Sequence, residues 1–216
     1  MTALQIFKKA SLVFWDFDGV IKDSTEVKCR AFEKLFKEYG EAIVRKVLLH
    51  HENNGGVSRF IKIPFYYSEY VGENINKEKT YRLARIFSGL VVDKVVNSPW
   101  IPGVEKILRE NPFQQKFVLV TGTPQEEMEV ILNKLEMNNV FIAIYGAPKE
   151  KGPSVKFELE KNIHGLNSVF IGDAYTDYEA ARFNGIPFIL LDNGKLKNHG
   201  MTPDSIINDF EIFYEL

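Results

Sequence analysis

Leu12-Val-Phe-Trp-Asp16-Phe-Asp18-Gly19-Val20 is the stretch on which the reading of the chain turns. An apolar run from Ser11 to Trp15 stops at two carboxylates separated by one phenylalanine, and a glycine follows at once. Such a run fits a strand buried in a parallel sheet, delivering acidic groups at its carboxyl end. Ligands of open α/β sheets bind in the crevice at that end. Two carboxylates placed there repel unless a cation joins them, so the spacing asks for a divalent ion with oxygen ligands, most simply Mg2+. Gly19 lets the chain turn sharply just past the strand. The same residues also fit a surface turn, and the rest of the chain decides between the two.

Downstream, strands and helices alternate. Lys116 to Thr121 reads as a buried strand, and Thr123-Pro124-x-Glu126 as an N-cap, a first-turn proline and a capping-box glutamate opening a helix to about Leu135. Val140 to Tyr145, Ser168 to Gly172 and Pro187 to Leu191 read as further strands, with Ile206-Ile207 a short last one before a terminal helix. Helices are expected from Gly152 to about Asn162 and from Asp177 to Phe183. This alternation predicts an α/β fold with a doubly wound parallel sheet.

Between the first two sheet strands the pattern is helical throughout. Val27, Ala31, Phe32, Leu35 and Phe36 recur at helical spacing after Asp23-Ser24-Thr25, which offers N-cap oxygens. Further helices are expected over Ala42–His51, over Val57–Tyr70 with Pro64 kinking or dividing it, and over Lys77–Val96. Pro99-Trp-Ile-Pro102-Gly103 then punctuates the chain. The expected division is a catalytic core of residues 1–22 and 98–216 with a helical cap of residues 23–97 inserted into it.

The 216 residues suffice for one core plus a small insertion. A formal net charge of −2 gives no polyanion footprint, so nucleic acid is not an expected partner. The single cysteine, Cys29, cannot form an internal disulfide and fits a reducing compartment. No apolar run reaches the roughly 20 residues of a membrane span, and the first strand is expected to begin within about ten residues of Met1, which leaves no room for a signal peptide. The expectation is a cytoplasmic protein that does not engage membranes; its oligomeric state is open.

Asp16-x-Asp18-Gly19-Val20 resembles motif one of the haloacid dehalogenase superfamily of phosphotransferases, and three later stretches resemble the other motifs in order. Thr121, ending its strand before Gly122, is similar to motif two. Tyr145-Gly-Ala-Pro148-Lys149-Glu-Lys151 is similar to motif three, where relatives carry a lysine a few residues beyond Gly-x-Pro; this favours Lys151 and leaves Lys149 open. Gly172-Asp173-x-x-x-Asp177 matches motif four in its phosphatase-like form. The position of the helical block corresponds to a C1-type cap on a Rossmann-like core.

The resemblance implies a Mg2+-dependent phosphatase. Asp16 would attack phosphorus to form an aspartyl-phosphate, and Asp18 would serve as acid and then base. Thr121, Gly122 and Lys151 would hold the phosphoryl oxygens. Asp16, Asp173 and the Asp18 carbonyl would ligate the metal, with Asp177 binding through water or orienting the site. For Thr123 the helix-capping role is expected to suffice.

Gly56-Val-Ser58-Arg59 resembles the cap specificity loop of β-phosphoglucomutase-like members, so Gly56, Ser58 and Arg59 are candidates for binding substrate. Arg59 is the one expected to grip an anionic group by bidentate hydrogen bonds. Two departures argue against a mutase: Lys28 stands where those mutases carry a histidine, and Gly172-Asp173 where they carry Glu-Asp. Lys28 is expected to face water. Hydrolysis of a small phosphorylated metabolite is the favoured reaction, with a phosphosugar mutase of the β-phosphoglucomutase type the alternative, and a non-catalytic binding protein on the same fold a distant third. A phosphosugar, phosphoglycolate or a nucleotide all fit the substrate.

Overall fold

The computed structural model describes residues 1–161, 167–192, 194 and 200–214. Its centre is a six-stranded sheet: β1 (Leu12–Trp15), β2 (Lys116–Pro124), β3 (Ala143–Ala147), β4 (Ser168–Gly172), β5 (Phe188–Leu191) and β6 (Ser205–Ile207). The order is β3-β2-β1-β4-β5-β6, and every pairing is parallel. Trp15 lies opposite both Leu119 and Ile171, so the residues following β1 and β4 emerge side by side where the strand order reverses. That switch point is where a doubly wound sheet opens a crevice.

All four residues of β1 are buried. Val13 and Trp15 pack on one face with α6 (Val104–Glu110) and α7 (Gln125–Lys134) through Ile107, Leu108, Met128 and Ile131. Leu12 and Phe14 pack on the other, with α8 (Lys151–Lys161) and α9 (Tyr175–Phe183) contributing Val155, Ala180 and Ala181. Burial on both faces is why the run lacks polar alternation.

Between β1 and β2 lie α2 (Thr25–Phe36), α3 (Glu41–Asn53), α4 (Arg59–Tyr66) and α5 (Lys77–Val96). Pro64 sits inside α4, and a π-type turn over Tyr67–Val71 follows directly, so the helix expected over 57–70 begins at Arg59, is not divided at Pro64 and changes type at Tyr67. The two connections to the core run together: Asp23 N donates to Pro99 O (2.9 Å), Ile101 N to Ile21 O (3.0 Å), and the Lys22 ammonium lies 4.2 Å from the Trp100 ring centroid.

Several element bounds differ from expectation. The N-terminus forms a helix, α1 (Ala3–Lys9), before β1, with Thr2 and Gln5 making a capping box. β2 runs on through Pro124, so α7 opens without the capping box expected at Thr123. β3 begins at Ala143 rather than Val140. After β6 the described chain makes a 3-10 turn, Glu211–Phe213, in place of a terminal α-helix. The expected end of α8 at Asn162 lies outside the described residues. Among the described residues no helix is long and apolar enough to cross a membrane.

Candidate active site

Asp16 and Asp173, directly after β1 and β4, lie with Thr121 of β2 along one cavity, and the first residue of α8 brings Lys151 to Asp16. The Lys151 ammonium donates to Asp16 Oδ1 (2.8 Å) and Asp177 Oδ1 (2.6 Å). Asp177 also accepts from the Ala174 N–H (3.1 Å), which fixes its carboxylate at the start of α9. Lys149 is exposed, with its ammonium 5.3 Å from the Tyr145 ring centroid, so of the two lysines it is Lys151 that meets the carboxylates.

Asp16, Asp173 and Asp177 each offer a carboxylate oxygen within 4.8 Å of the others. Burial raises the Asp16 carboxyl, and Asp177 raises it further against the opposing pull of Lys151, to about 7. Burial, with Asp16 and Asp177, pushes Asp173 well above the usual carboxylate range. Carboxylates raised by one another lack positive charge, and an all-oxygen set suits a hard divalent cation such as Mg2+. Gly19 permits the arrangement: its φ is +86°, and a Cβ there would stand 2.1 Å from Asp173 Oδ2.

The Asp18 carboxylate turns away from that cluster. It accepts from Ser24 Oγ (2.6 Å), Thr123 Oγ1 (2.9 Å) and the Lys28 ammonium, which also donates to Thr123 Oγ1 (2.7 Å). Burial raises the Asp18 carboxyl, but the Lys28 charge and the hydrogen bonds from Lys28, Ser24 and Thr123 outweigh it and hold the group below its ordinary value. Two expectations are thereby corrected. Lys28 faces the site and not water, and Thr123 bonds Asp18 and does not cap a helix. The first was legible in part, because Lys28 precedes the buried Phe32 by four residues and shares its face. The Thr121 hydroxyl, buried at the end of the apolar part of β2, accepts from the Thr123 N–H (3.1 Å).

A cavity of about 940 Å³ joins these groups to the helical insert; Asp16, Asp18, Thr121 and Asp173 line its floor, and Lys28, His51, Arg59 and Lys62 line it from the insert. The insert loop seals against the core by close backbone approach. A Cβ on Gly122 would stand 2.2 Å from Gly56 O, and one on Gly56 (φ +74°) would stand 2.0 Å from Thr176 Oγ1. Gly122→Ala is expected to push the loop outward, raising KM and costing about 1–3 kcal/mol of stability; steady-state kinetics and a urea titration check both. Gly122 and Gly56 thus meet each other at the rim.

Arg59 and Ser58 differ from expectation. Ser58 Oγ accepts from the Phe60 N–H (3.3 Å) as the N-cap of α4 and is not among the residues lining the cavity. Arg59 does line it, but its guanidinium grips Glu127 of α7 through Nη1–Oε2 (2.6 Å) and Nη2–Oε1 (2.7 Å), over the Phe87 ring at 4.2 Å. Ser88 donates to the same carboxylate. The expected hold on a substrate anion is therefore taken by a protein carboxylate, supplied from 68 residues away in sequence.

Residues 13–191 match the family model of the haloacid dehalogenase-like hydrolases, and the chain belongs to that family. It is an enzyme, a hydrolase of the phosphatase type. Among curated proteins it is similar to the phosphoglycolate phosphatase of Pseudomonas putida, at 24% identity over 214 residues, spanning 92% of this chain and 76% of that protein. The phosphoglycolate phosphatase of Pseudomonas savastanoi is 22% identical over 231 residues, spanning 94% and 78%. Among solved structures, CbbY from Rhodobacter sphaeroides, determined with phosphate, superposes with a TM-score of 0.72 at 15% identity, covering 93% of this chain and 95% of that one. A hydrolase from Pseudomonas syringae gives 0.71 at 19%, covering 95% and 97%. These likenesses carry the fold.

Proposed function

We propose that this enzyme is a Mg2+-dependent phosphomonoesterase that hydrolyses a small phosphorylated metabolite through an aspartyl-phosphate. The observation that carries the reading is the Lys151 ammonium held between Asp16 and Asp177 at the switch point, beside Asp173 and Thr121. Asp16 is the nucleophile, because its carboxylate follows the central strand, lines the cavity and accepts from the buried Lys151 ammonium. Lys151 and the Thr121 hydroxyl bind phosphoryl oxygens. Asp16, Asp173 and the Asp18 carbonyl would hold Mg2+, with Asp177 orienting the set, and the ion when bound would compensate the charge of the carboxylates and the phosphoryl group.

Asp18 handles the proton. Bonded to Lys28, it rests as a carboxylate, the form that takes a proton from the attacking water in the second half of the cycle. A substrate that displaces Lys28 leaves burial as the dominant influence, so Asp18 can carry a proton to the leaving oxygen in the first half. Residues 23–97 act as the cap that excludes water from the core of residues 1–22 and 98–216.

The test is phosphate release from a panel of phosphometabolites, with 2-phosphoglycolate placed first because of the curated relatives. EDTA is expected to abolish release and Mg2+ to restore it. Saturating Mg2+ should also raise the melting temperature by about 5 °C, since it binds only the folded cluster. Metal-independent turnover would reject the mechanism. Isomerisation of a hexose 1-phosphate without phosphate release would establish the mutase instead.

A further inference from the structure

We infer that Lys62 reads the organic end of the substrate, and that this end carries one carboxylate. The inference rests on the cavity floor being the phosphoryl site. Three cations line the cavity from the helical insert: Lys28, Arg59 and Lys62. Lys28 is paired with Asp18, and Arg59 is paired with Glu127. Lys62 is 2% exposed and has no carboxylate partner among the described residues. Its ammonium reaches His51 Nδ1 at 2.8 Å and, weakly, the His51 carbonyl at 3.5 Å.

A buried ammonium without a counter-ion is unfavourable, and it binds an anion or loses its proton. Burial, reinforced by the Lys28 charge and opposed by Cys29, brings the Lys62 amine down to about 7. Burial likewise holds His51 well below its ordinary value, with Lys62, Lys28, His50 and Arg59 adding to the effect. The His51 ring is thus a neutral acceptor and cannot supply the missing negative charge. A lysine has three donors, and the two contacts to His51 leave one N–H for an incoming group.

One unneutralised cation in the roof, opposite a phosphoryl site in the floor, matches a small phosphorylated carboxylic acid. A bisphosphate would need a second cation, and Arg59 is already held by Glu127.

The experiment compares 2-phosphoglycolate with 2-hydroxyethyl phosphate, and 3-phosphoglycerate with glycerol 1-phosphate, each acid against an alcohol of similar size, in the presence of Mg2+. For at least one pair the wild type is expected to favour the acid in kcat/KM by about tenfold to hundredfold, the effect of one charged hydrogen bond. Lys62→Met should bring that ratio to about one through KM. Lys62→Gln, which keeps a donor without charge, is the second variant, and melting curves establish that each is folded. A preference that survives both variants, or a wild type that does not discriminate in either pair, overturns the inference while leaving the phosphatase intact. If the wild type hydrolyses none of these compounds, the phosphatase reading is tested separately on the wider panel. Calorimetric binding of 2-phosphoglycolate then decides: affinity lost in Lys62→Gln upholds the subsite, and equal or absent affinity overturns it.

Discussion

Asp16→Asn is expected to lower turnover by about ten-thousandfold or more while leaving the fold intact, because the amide keeps the shape of the side chain and loses its nucleophilic oxygen. The structure adds a second expectation about stability. Asp16 is buried beside Asp177, which raises its carboxyl, while Lys151 keeps its other carboxylate partner in the variant. Removing one of several mutually repelling charges should leave the melting temperature of the metal-free protein unchanged or slightly higher. Inactivity with an unchanged melt would place the loss in chemistry and not in folding. A normal rate in the variant would end the aspartyl-phosphate mechanism.

Glu127→Ala is expected to produce the largest loss of stability. The Arg59–Glu127 pair joins α4 of the insert to α7 of the core, with side chains 4% and 2% exposed. Truncating the glutamate strands a buried guanidinium, an event that costs about 3–5 kcal/mol and should lower the melting temperature by about 10 °C for a chain of this size. The paired replacement Arg59→Met with Glu127→Leu removes both charges together and should recover most of that loss, since apolar substitutes for a buried ion pair are often neutral. Urea titrations of the two singles and the double give the coupling energy. A Glu127→Ala protein within about 1 kcal/mol of wild type, well short of the usual cost of breaking such a pair, would mean that the bridge does not hold in solution.

The parts of this molecule legible in the sequence are those governed by local pattern. The placing of Asp16, Thr121 and Asp173 could be read because each closes a short apolar run, and that of Lys151 because it opens the helix after β3. Helix α1 was legible too, in Thr2-x-x-Gln5 followed by Ile6-Phe7, but was lost to the nearby strand signal. Thr123 misled because a good local capping pattern yielded to a tertiary bond with Asp18. The partner of Arg59 could not be read at all, since nothing near Arg59 announces a glutamate on a distant helix. Even so, the phase of α4 was informative. Arg59, Lys62, Ile63 and Tyr66 fall at helical spacing, and all four are its buried residues, so two cations sharing an apolar face already signalled charges turned inward.

The paired connections at Asp23–Pro99 and Ile21–Ile101 have an evolutionary consequence. Because the insert leaves and re-enters the core through neighbouring backbone, its two ends fit whatever lies between them. A different block with equally close ends could take its place without shifting a strand of the sheet. The carboxylates at the carboxyl ends of the central strands and the cations that line the cavity from the insert can therefore diverge at separate rates, as an engine and an exchangeable cassette.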